Sequence, residues 1–382
     1  MKRFFAILMA MVIPVVLTSC SATKPNANIS NADNGKVAII TGGAIQGTDE
    51  LAAANKMKEK YGDRVVIATY PASFSENPDI TIATVKELAS DPNIKALIFV
   101  EAISGSSAAI EKAKQINPDL LVIAGLPGED PDVISPVCDI VLSTKAANGM
   151  GKAIPVQAKK MGAKTLIHYS FPRHMSIATL SDCRDVMQET CDKIGIEFVD
   201  ATSPDPTVAS GIDAVKDFIA KDVPKQIAHY GKDTAFYTTN RATQEPLIRA
   251  VVENGAIYTQ QCAPCPLHDF PTALGVDIPE DKAYDTAFVI NAITKKSAEI
   301  GMTGRLSTWS VPFILTIIEG STDYAFKYID GEITEKVDEK VLNQCLIDAA
   351  NNSSISITKF NDPNTDVEYQ NYFTLMCDYV TF

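Results

Sequence analysis

The sequence of 382 residues has only four histidines and lacks the short motifs of the common hydrolases. It contains neither the G-x-S-x-G turn that presents a catalytic serine nor the H-E-x-x-H helix that binds catalytic zinc. These absences argue against the familiar serine and zinc enzymes. We therefore predict a protein that is not an enzyme and that uses no cofactor or metal.

Basic residues are also scarce. The chain has 34 Lys and Arg residues against 47 Asp and Glu residues, which gives a formal net charge of −13, and the basic residues form no tract. Binding to a phosphate backbone requires clustered cations that displace counterions. We therefore expect no nucleic-acid partner.

Only one long apolar run occurs, and it lies at the N-terminus. Lys2 and Arg3 precede the hydrophobic residues 4–17. At 1.5 Å per residue this run covers about 21 Å, which is shorter than the hydrocarbon core of a bilayer. Residues 1–19 are therefore predicted to be a signal peptide rather than a permanent membrane span.

The residues "LTSC" that end this region resemble the lipobox of bacterial lipoproteins, in which small residues precede a cysteine that is diacylated. The resemblance implies that Cys20 carries lipid and anchors the protein outside the cytoplasm, on the face of a cell membrane. Residues 20–35 then comprise this cysteine and a flexible linker rich in Ser, Asn and Ala. An ordinary secretory signal with an incidental cysteine is the alternative.

The glycines of "KVAIITGGAIQG", residues 36–47, do not fit a nucleotide-binding loop. A dinucleotide fingerprint requires G-x-G-x-x-G, and a P-loop requires Lys after its last glycine, where this chain has Thr48. Free NAD and ATP are also scarce outside the cytoplasm. We predict instead that the backbone N–H groups of this turn bind a captured solute at the end of a strand.

Short apolar runs alternate with amphipathic segments in two successive halves of the chain. Near-continuous apolar strands separated by helices are typical of βαβ units, and hence of parallel sheets covered on both faces. We predict an α/β fold of two Rossmann-like lobes with parallel sheets flanked by helices, joined by a hinge. The predicted strands are residues 37–41, 65–70, 96–100, 121–125, 140–143, 165–169, 197–200, 234–238 and 256–260, and the predicted helices are 48–61, 80–90, 106–115, 177–194, 208–220, 243–253, 283–300, 311–328 and 335–350.

These elements define three regions beyond the linker. We assign an N-terminal lobe to residues 36–148 and a C-terminal lobe to residues 149–282, with a helix at their junction. Residues 283–382 are expected to be mainly helical segments that cross between the lobes.

Seven cysteines remain after Cys20, so full pairing within the chain is impossible. The segment "CAPCPLH" has two interpretations. It is either a rigid loop, with or without a disulfide between Cys262 and Cys265, or a redox or metal site with His268 as a third ligand. Cys183 and Cys191 lie eight residues apart on a predicted helix and are expected to be buried.

The lipobox, the linker and the paired lobes together resemble the type I periplasmic binding proteins, and more closely an uncharacterised family of bacterial lipoproteins with that fold. The segments that carry the closer resemblance are "KVAIITGG", "HYSFPRHMS" and "YTTNRATQEPLI". The resemblance implies a monomer that captures a small molecule by hinge closure and delivers it to a membrane permease, as in an ABC-type importer.

Such a site is built from polar residues at the strand ends of both lobes. Arg173 and His174 are expected to face the cleft, opposite Glu101, and two arginines favour an anionic or zwitterionic ligand. Trp309 either stacks on a ligand ring or belongs to the core, and Ser143 is a weaker candidate. The full set of predicted ligand-binding residues is Thr41, Gly42, Gly43, Gln46, Tyr70, Glu101, Ser104, Ser170, Arg173, His174, Asn240, Arg241 and Gln261.

Three other functions remain compatible with the sequence. The same fold occurs as the sensor half of bacterial repressors, although a signal peptide stands here where a DNA-reading module is expected. A sensor or partner-presenting lipoprotein would show a large exposed apolar patch. An extracytoplasmic enzyme would show a metal or a perturbed carboxylate in the cleft.

Overall fold

The computed structural model describes residues 35–42, 48–71, 78–103, 105–144, 149–206, 208, 210–351, 355–362 and 365–382. The predicted signal peptide, the lipidated Cys20 and the linker up to residue 34 lie outside the described residues, as do Gly43, Gln46 and Ser104. No helix within the described ranges combines the length and the apolar character needed to cross a bilayer.

The first lobe is built on a seven-stranded sheet in the order β11-β12-β5-β4-β3-β1-β2. All neighbours pair in parallel except β11 and β12, which are antiparallel. Strand β4 is entirely buried, as expected for a parallel sheet covered on both faces. The strands are β1 Lys36–Thr41, β2 Val65–Thr69, β3 Ile94–Phe99, β4 Leu121–Gly125, β5 Ile140–Ser143, β11 Ile355–Asn361 and β12 Glu368–Cys377.

Helices cover both faces of this sheet. Val37 and Ile39 of β1 pack in one hydrophobic cluster with helix α12, whereas Ala38 and Ile40 pack on the opposite face in the cluster that contains helices α2 and α3. The helices of the lobe are α1 Thr48–Tyr61, α2 Pro78–Ser90, α3 Ser106–Ile116, α4 Pro131–Ile134, α12 Phe313–Ile329 and α13 Glu339–Ala349, with a 3-10 turn at Gly62–Arg64.

The second lobe has a four-stranded parallel sheet in the order β7-β6-β8-β9. A bridge between Tyr258 and Leu306 joins it to the antiparallel pair of β10 and β13. Its strands are β6 Thr165–Ser170, β7 Glu197–Thr202, β8 Thr234–Thr238, β9 Ile257–Tyr258, β10 Ser307–Trp309 and β13 Tyr379–Thr381. Its helices are α5 Met150–Lys160, α6 Pro172–Met175, α7 Ala178–Ile194, α8 Gly211–Tyr230, α9 Gln244–Asn254, α10 Phe270–Leu274 and α11 Thr286–Glu299, with 3-10 turns at Arg241–Thr243 and Glu280–Lys282.

The chain passes between the lobes three times. It crosses first between residues 144 and 149, then near Ser310 and finally near Asp378. The last two crossings are joined by a hydrogen bond from the Ser310 backbone N–H to the Asp378 carbonyl, 2.9 Å long. The prediction of two α/β lobes with parallel sheets and a hinge is thus confirmed.

The last hundred residues serve both lobes. Helix α12 is the most apolar helix of the first lobe, and twelve of its 17 residues are buried between the sheet and helices α1 and α13. Strands β11 and β12 extend the first sheet, and β12 was not predicted. Strand β13 then ends the chain in the second lobe, where Phe382 packs edge-on against Phe270.

Candidate functional site

One arginine of the second lobe lies between two carboxylates of the first. Arg241 follows β8, and its Nη1 donates to Glu50 Oε1 at 3.1 Å and to Glu101 Oε1 at 3.2 Å. Glu50 lies in the first turn of α1, and Glu101 follows β3. The strand ends of the two lobes therefore meet through these charges, at the place where a parallel α/β sheet offers its binding site.

Glu50 is the most buried member of this group, with 1% of its surface exposed. Its Oε2 accepts hydrogen bonds from Thr41 Oγ1 at 3.1 Å and from the Gly42 backbone N–H at 3.0 Å. Burial and the charge of Glu101 raise the pKa of Glu50, while Arg241 and the Gly42 N–H act in the opposite direction. The N–H of Gly42 is thus already bonded to a protein carboxylate.

Glu101 has a backbone conformation that is rare for a residue with a side chain. Its φ angle is +48°, in the left-handed region, directly after β3. Such a conformation costs about 1–3 kcal/mol, and residues strained in this way cluster at functional sites. In this conformation the carboxylate reaches across the cleft to Arg241.

Arg241 keeps its charge in this environment. Burial alone would lower its pKa, but the carboxylates of Glu101 and Glu50 outweigh that effect and raise it. The preceding residue, Asn240, accepts a hydrogen bond from the Ala242 N–H at 2.9 Å and so caps the turn that carries the arginine. Asn240 therefore orients Arg241 through the backbone.

A second contact between the lobes joins Asp49 of α1 to His268 of the loop after β9. Nη2 of Arg241 also lies 3.4 Å from Nε2 of the same imidazole. Burial opposes protonation of His268, but Cys265 and Asp49 raise its pKa to about 10. Asp49 and Cys265 therefore favour the protonated form of the imidazole in this arrangement.

The loop that carries Cys265 and His268 is fixed from within the lobe. Gln261 is fully buried, and its Nε2 donates to the Cys265 carbonyl at 2.8 Å, while its Oε1 accepts from Thr308 Oγ1 at 2.6 Å. No disulfide joins Cys262 to Cys265. Gln261 supports the loop and does not face the cleft in this structure.

The other predicted residues of the second lobe form a separate polar group. Ser170 and Thr239 share a hydrogen bond of 2.8 Å between their hydroxyls, and Thr239 lies 3.0 Å from Nδ1 of His174. Arg173 is half-exposed and pairs with Asp205, its Nε 3.0 Å from Oδ2. Neither predicted arginine is therefore unpaired.

Tyr70 and Trp309 are both buried. Burial and the charges of Glu50 and Glu101 raise the pKa of Tyr70 well above its usual value. The Tyr70 hydroxyl is therefore held in its neutral form. Trp309 contacts Phe313 edge-on at 5.4 Å between ring centroids and belongs to the core. Ser143 ends β5 and is also buried.

A cavity lies on the side of the hinge, next to helix α1. It has a volume of about 670 Å³ and lies between α1, α11, the second crossing and α12. Its lining mixes apolar and polar side chains and includes the ion pair of Lys56 and Glu319. The residues predicted for ligand binding do not line it.

A smaller cavity of about 420 Å³ lies in the second lobe and includes Ser170 in its lining. It also contains a buried histidine, His168, whose Nδ1 lies 2.9 Å from Asp200 Oδ1. Arg184 pairs with the same carboxylate. These contacts neutralise Asp200 without a ligand.

The sequence did not single out Asp49, Glu50 or Asp269. Acidic residues in a first helical turn usually balance the helix dipole at the surface, so their type and position carry no sign of burial. Asp269 has a φ angle of +61° and a raised pKa, caused mainly by burial. In contrast to these three acids, His268 lies in a segment that the sequence did single out, because its Cys and His spacing suits a metal or redox site.

Comparisons with known proteins identify the family and the fold. A family model described as "Protein of unknown function (DUF3798)" matches residues 36–307. Two uncharacterised proteins of Treponema pallidum (strain Nichols) are similar to parts of the chain. One is 39% identical over 193 residues, which is 50% of this chain and 87% of that protein, and the other is 37% identical over 177 residues, which is 44% and 80%.

Three solved structures share the architecture. A protein from Clostridium difficile 630 that is named as a transcriptional regulator superposes with a TM-score of 0.77 at 23% identity, over 92% of this chain and 99% of that one. A periplasmic ribose ABC transporter protein from Conexibacter woesei DSM 14684 gives 0.51 at 15% identity, over 81% and 89%. A carbohydrate transporter protein from Acidothermus cellulolyticus 11B in complex with myo-inositol gives 0.51 at 12%, over 84% and 99%. At these identities the likeness shows the fold alone, and the predicted type I periplasmic binding protein fold is confirmed.

Proposed function

The chain belongs to the DUF3798 family, and from its fold we propose that it binds a small polar solute between its two lobes, outside the cytoplasm, and retains it by hinge closure. The observation that carries this proposal is the meeting of Arg241 with Glu50 and Glu101 across the cleft. Opposed polar groups from two lobes that share a hinge are the arrangement that a solute can bridge.

The charges of the cleft bear on the class of solute. Arg241 is shared by two carboxylates and Arg173 is paired with Asp205, so both arginines predicted for the site already bind carboxylates. Carboxylates at the cleft accept hydrogen bonds from hydroxyl and ammonium groups. We therefore favour a hydroxyl-rich or cationic solute over the anionic or zwitterionic one expected from the sequence, in keeping with the sugar and polyol named for proteins of the same fold.

The fate of the bound solute follows from the predicted location of the protein. With lipid on Cys20 the protein would stay at the membrane surface and pass its solute to a permease. Uptake of the solute into cells would then depend on this protein, and this dependence can be measured. A monomer suffices for that task, because both halves of the site lie in one chain. A sensor would use the same closure to contact a receptor instead, and it would leave uptake unchanged.

Ligand-induced thermal stabilisation tests the proposal. The purified protein is screened against sugars, polyols, nucleosides, amino acids and polyamines, and we expect at least one class to raise the unfolding temperature by binding the folded state alone. R241M should weaken that binding by at least about tenfold, a loss of roughly 1.4 kcal/mol. R173M removes an arginine that lies outside the cluster and serves as the matched control.

Two results would contradict the proposal. One is the absence of a stabilising compound in all of these classes. The other is an equal loss of affinity in R241M and R173M, because Arg241 joins the two lobes whereas Arg173 pairs with Asp205 of its own lobe.

A further inference from the structure

Asp49, Cys265 and His268 bring three different metal-binding groups together at the junction of the lobes. Each offers one ligand atom, and these atoms all lie within 4.8 Å of one another. A carboxylate oxygen, a cysteine sulfur and an imidazole nitrogen are ligands used by zinc and similar transition metals. Asp49 comes from the first lobe, whereas the other two residues come from the second.

From this geometry we propose that the three side chains bind a divalent transition-metal ion of the zinc type across the cleft. This inference rests on the proposed hinge closure, because the ligand set is complete only when α1 lies against the loop of residues 262–268. Three protein ligands leave one position of a tetrahedral site open. A water molecule or a hydroxyl of the solute can occupy that position.

The loop is built to hold its two ligands in place. Cys265 is 1% exposed, and the side chain of His268 is 18% exposed. The buried amide of Gln261 ties the Cys265 carbonyl to the lobe, and the Phe270 N–H donates to the His268 carbonyl at 2.5 Å. Pro264 and Pro266 flank Cys265 and restrict the backbone on both sides. A site held in this way loses little conformational freedom on binding an ion.

The surrounding charge also favours a cation. Besides Asp49 within the cluster, the carboxyl groups of Glu50, Glu101 and Asp269 lie near it, together with the guanidinium of Arg241. That arginine bonds to Glu50 and Glu101 through Nη1, so only its 3.4 Å contact from Nη2 to His268 must be given up when the imidazole binds metal.

Cobalt substitution tests the proposal directly, because a thiolate bound to Co²⁺ gives a charge-transfer absorption band in the near ultraviolet. Metal is removed from the full chain with chelator, and the protein is titrated with Co²⁺. The bound Co²⁺ is then displaced with Zn²⁺. We expect this band in the wild type. C265S should abolish the band, and D49N and H268N should each weaken Co²⁺ binding by at least about tenfold, the scale of effect seen even for outer-sphere partners of a metal.

Cys262 provides the matched control in the same loop. Its sulfur accepts a hydrogen bond from Gln244 Nε2 at 2.9 Å and lies outside the ligand set. C262S should therefore keep the band and the affinity, and thermal unfolding of each variant establishes that it is folded. The proposal is overturned if the wild type shows no thiolate band, if C262S abolishes the band and C265S does not, or if D49N binds Co²⁺ as tightly as the wild type.

The outcome can be separated from that of the proposed function. The solute screen is run in the presence of chelator and again with Zn²⁺. Solute binding by a protein that shows no thiolate band with Co²⁺ removes the metal site and leaves the receptor. If metal binding depends on Asp49 but no solute binds with chelator or with Zn²⁺, the metal proposal stands and the proposed organic solute is ruled out.

Discussion

The carboxylate of Glu50 shows how much one residue contributes to the candidate site. It binds the end of β1 through Thr41 and Gly42 and the other lobe through Arg241. A sequence in which "TDE" opens a helix predicts exposed acids, because first-turn carboxylates are favourable at any surface helix. Only the three-dimensional contact with Arg241 distinguishes this acid from its neighbours, so residue-level reasoning along the chain did not find it.

Other residues were accessible from the sequence. Arg241 and Glu101 were nominated because polar residues at the ends of parallel strands share one edge of a sheet, and the structure brings these two into contact. Gln261 satisfied the same rule, but its side chain turns inward to the loop that it supports. The rule gives the position of a residue along the strand and not the direction of its side chain.

A different carboxylate, that of Asp200, makes the free energy of unfolding depend on pH in the acidic range. Burial would raise its pKa, but His168 and Arg184 lower it from 3.8 to about 2. A carboxyl group with a depressed pKa in the folded state stabilises the fold above its unfolded pKa, and this contribution is lost as the pH falls through the folded value. We expect D200N to be less stable than the wild type at pH 7 and to lose less stability on acidification from about pH 4 to about pH 2.

Urea unfolding at a series of pH values measures this effect. D217N is the control, since Asp217 is 79% exposed on α8 and its nearest lysine nitrogen is 3.9 Å away. Parallel pH profiles for D200N and the wild type would show that the contacts of Asp200 do not stabilise the fold.

At the scale of the elements, strands buried on both faces were predictable and strands at the margins were not. Strands β4 and β5 have the predicted bounds, because each is a short apolar run between polar segments. Strand β9 was predicted as residues 256–260 but spans only Ile257–Tyr258. Strand β12 was missed because its first four residues alternate between exposed and half-buried and only residues 372–375 are buried, with residues 372–374 pairing with β5.

The contact between α12 and α13 depends on the absence of a side chain at Gly320. A Cβ atom there would lie 3.0 Å from Leu346 Cα and 3.2 Å from the Cys345 carbonyl oxygen. G320A should therefore separate the two helices and lower the free energy of unfolding by about 1–3 kcal/mol, although alanine favours helix more than glycine does.

Chemical denaturation compares this variant with K216A, an alanine substitution at an exposed position of α8. The control should change stability by less than about 0.5 kcal/mol. A stabilised G320A would indicate that the helices separate without cost.

At the scale of the whole molecule, neither lobe is a continuous stretch of chain. The first lobe takes β1 to β5 from residues 36–144 and takes α12, α13, β11 and β12 from residues beyond the second crossing. Helix α12 covers the faces of β1, β3 and β4. Residues 36–144 produced alone should therefore fail to fold, because one face of the sheet would be exposed to water.

A fusion of residues 36–144 to residues 311–378 through a flexible linker supplies the missing helix and strands. We expect this fusion to unfold cooperatively and to give dispersed amide resonances, in contrast to the shorter fragment. Cooperative unfolding of residues 36–144 by themselves would show that the first lobe folds without the later segments.

The hydrogen bond between Ser310 and Asp378 has a mechanical consequence. Two of the three connections run side by side as a ribbon, because β10 and β13 are paired just beyond them. Two paired strands can twist and bend together, but their hydrogen bonds oppose sliding of one strand along the other. In the proposed hinge closure, these two joined connections would restrict how the lobes move relative to each other, so that Arg241 would return to the same pair of carboxylates.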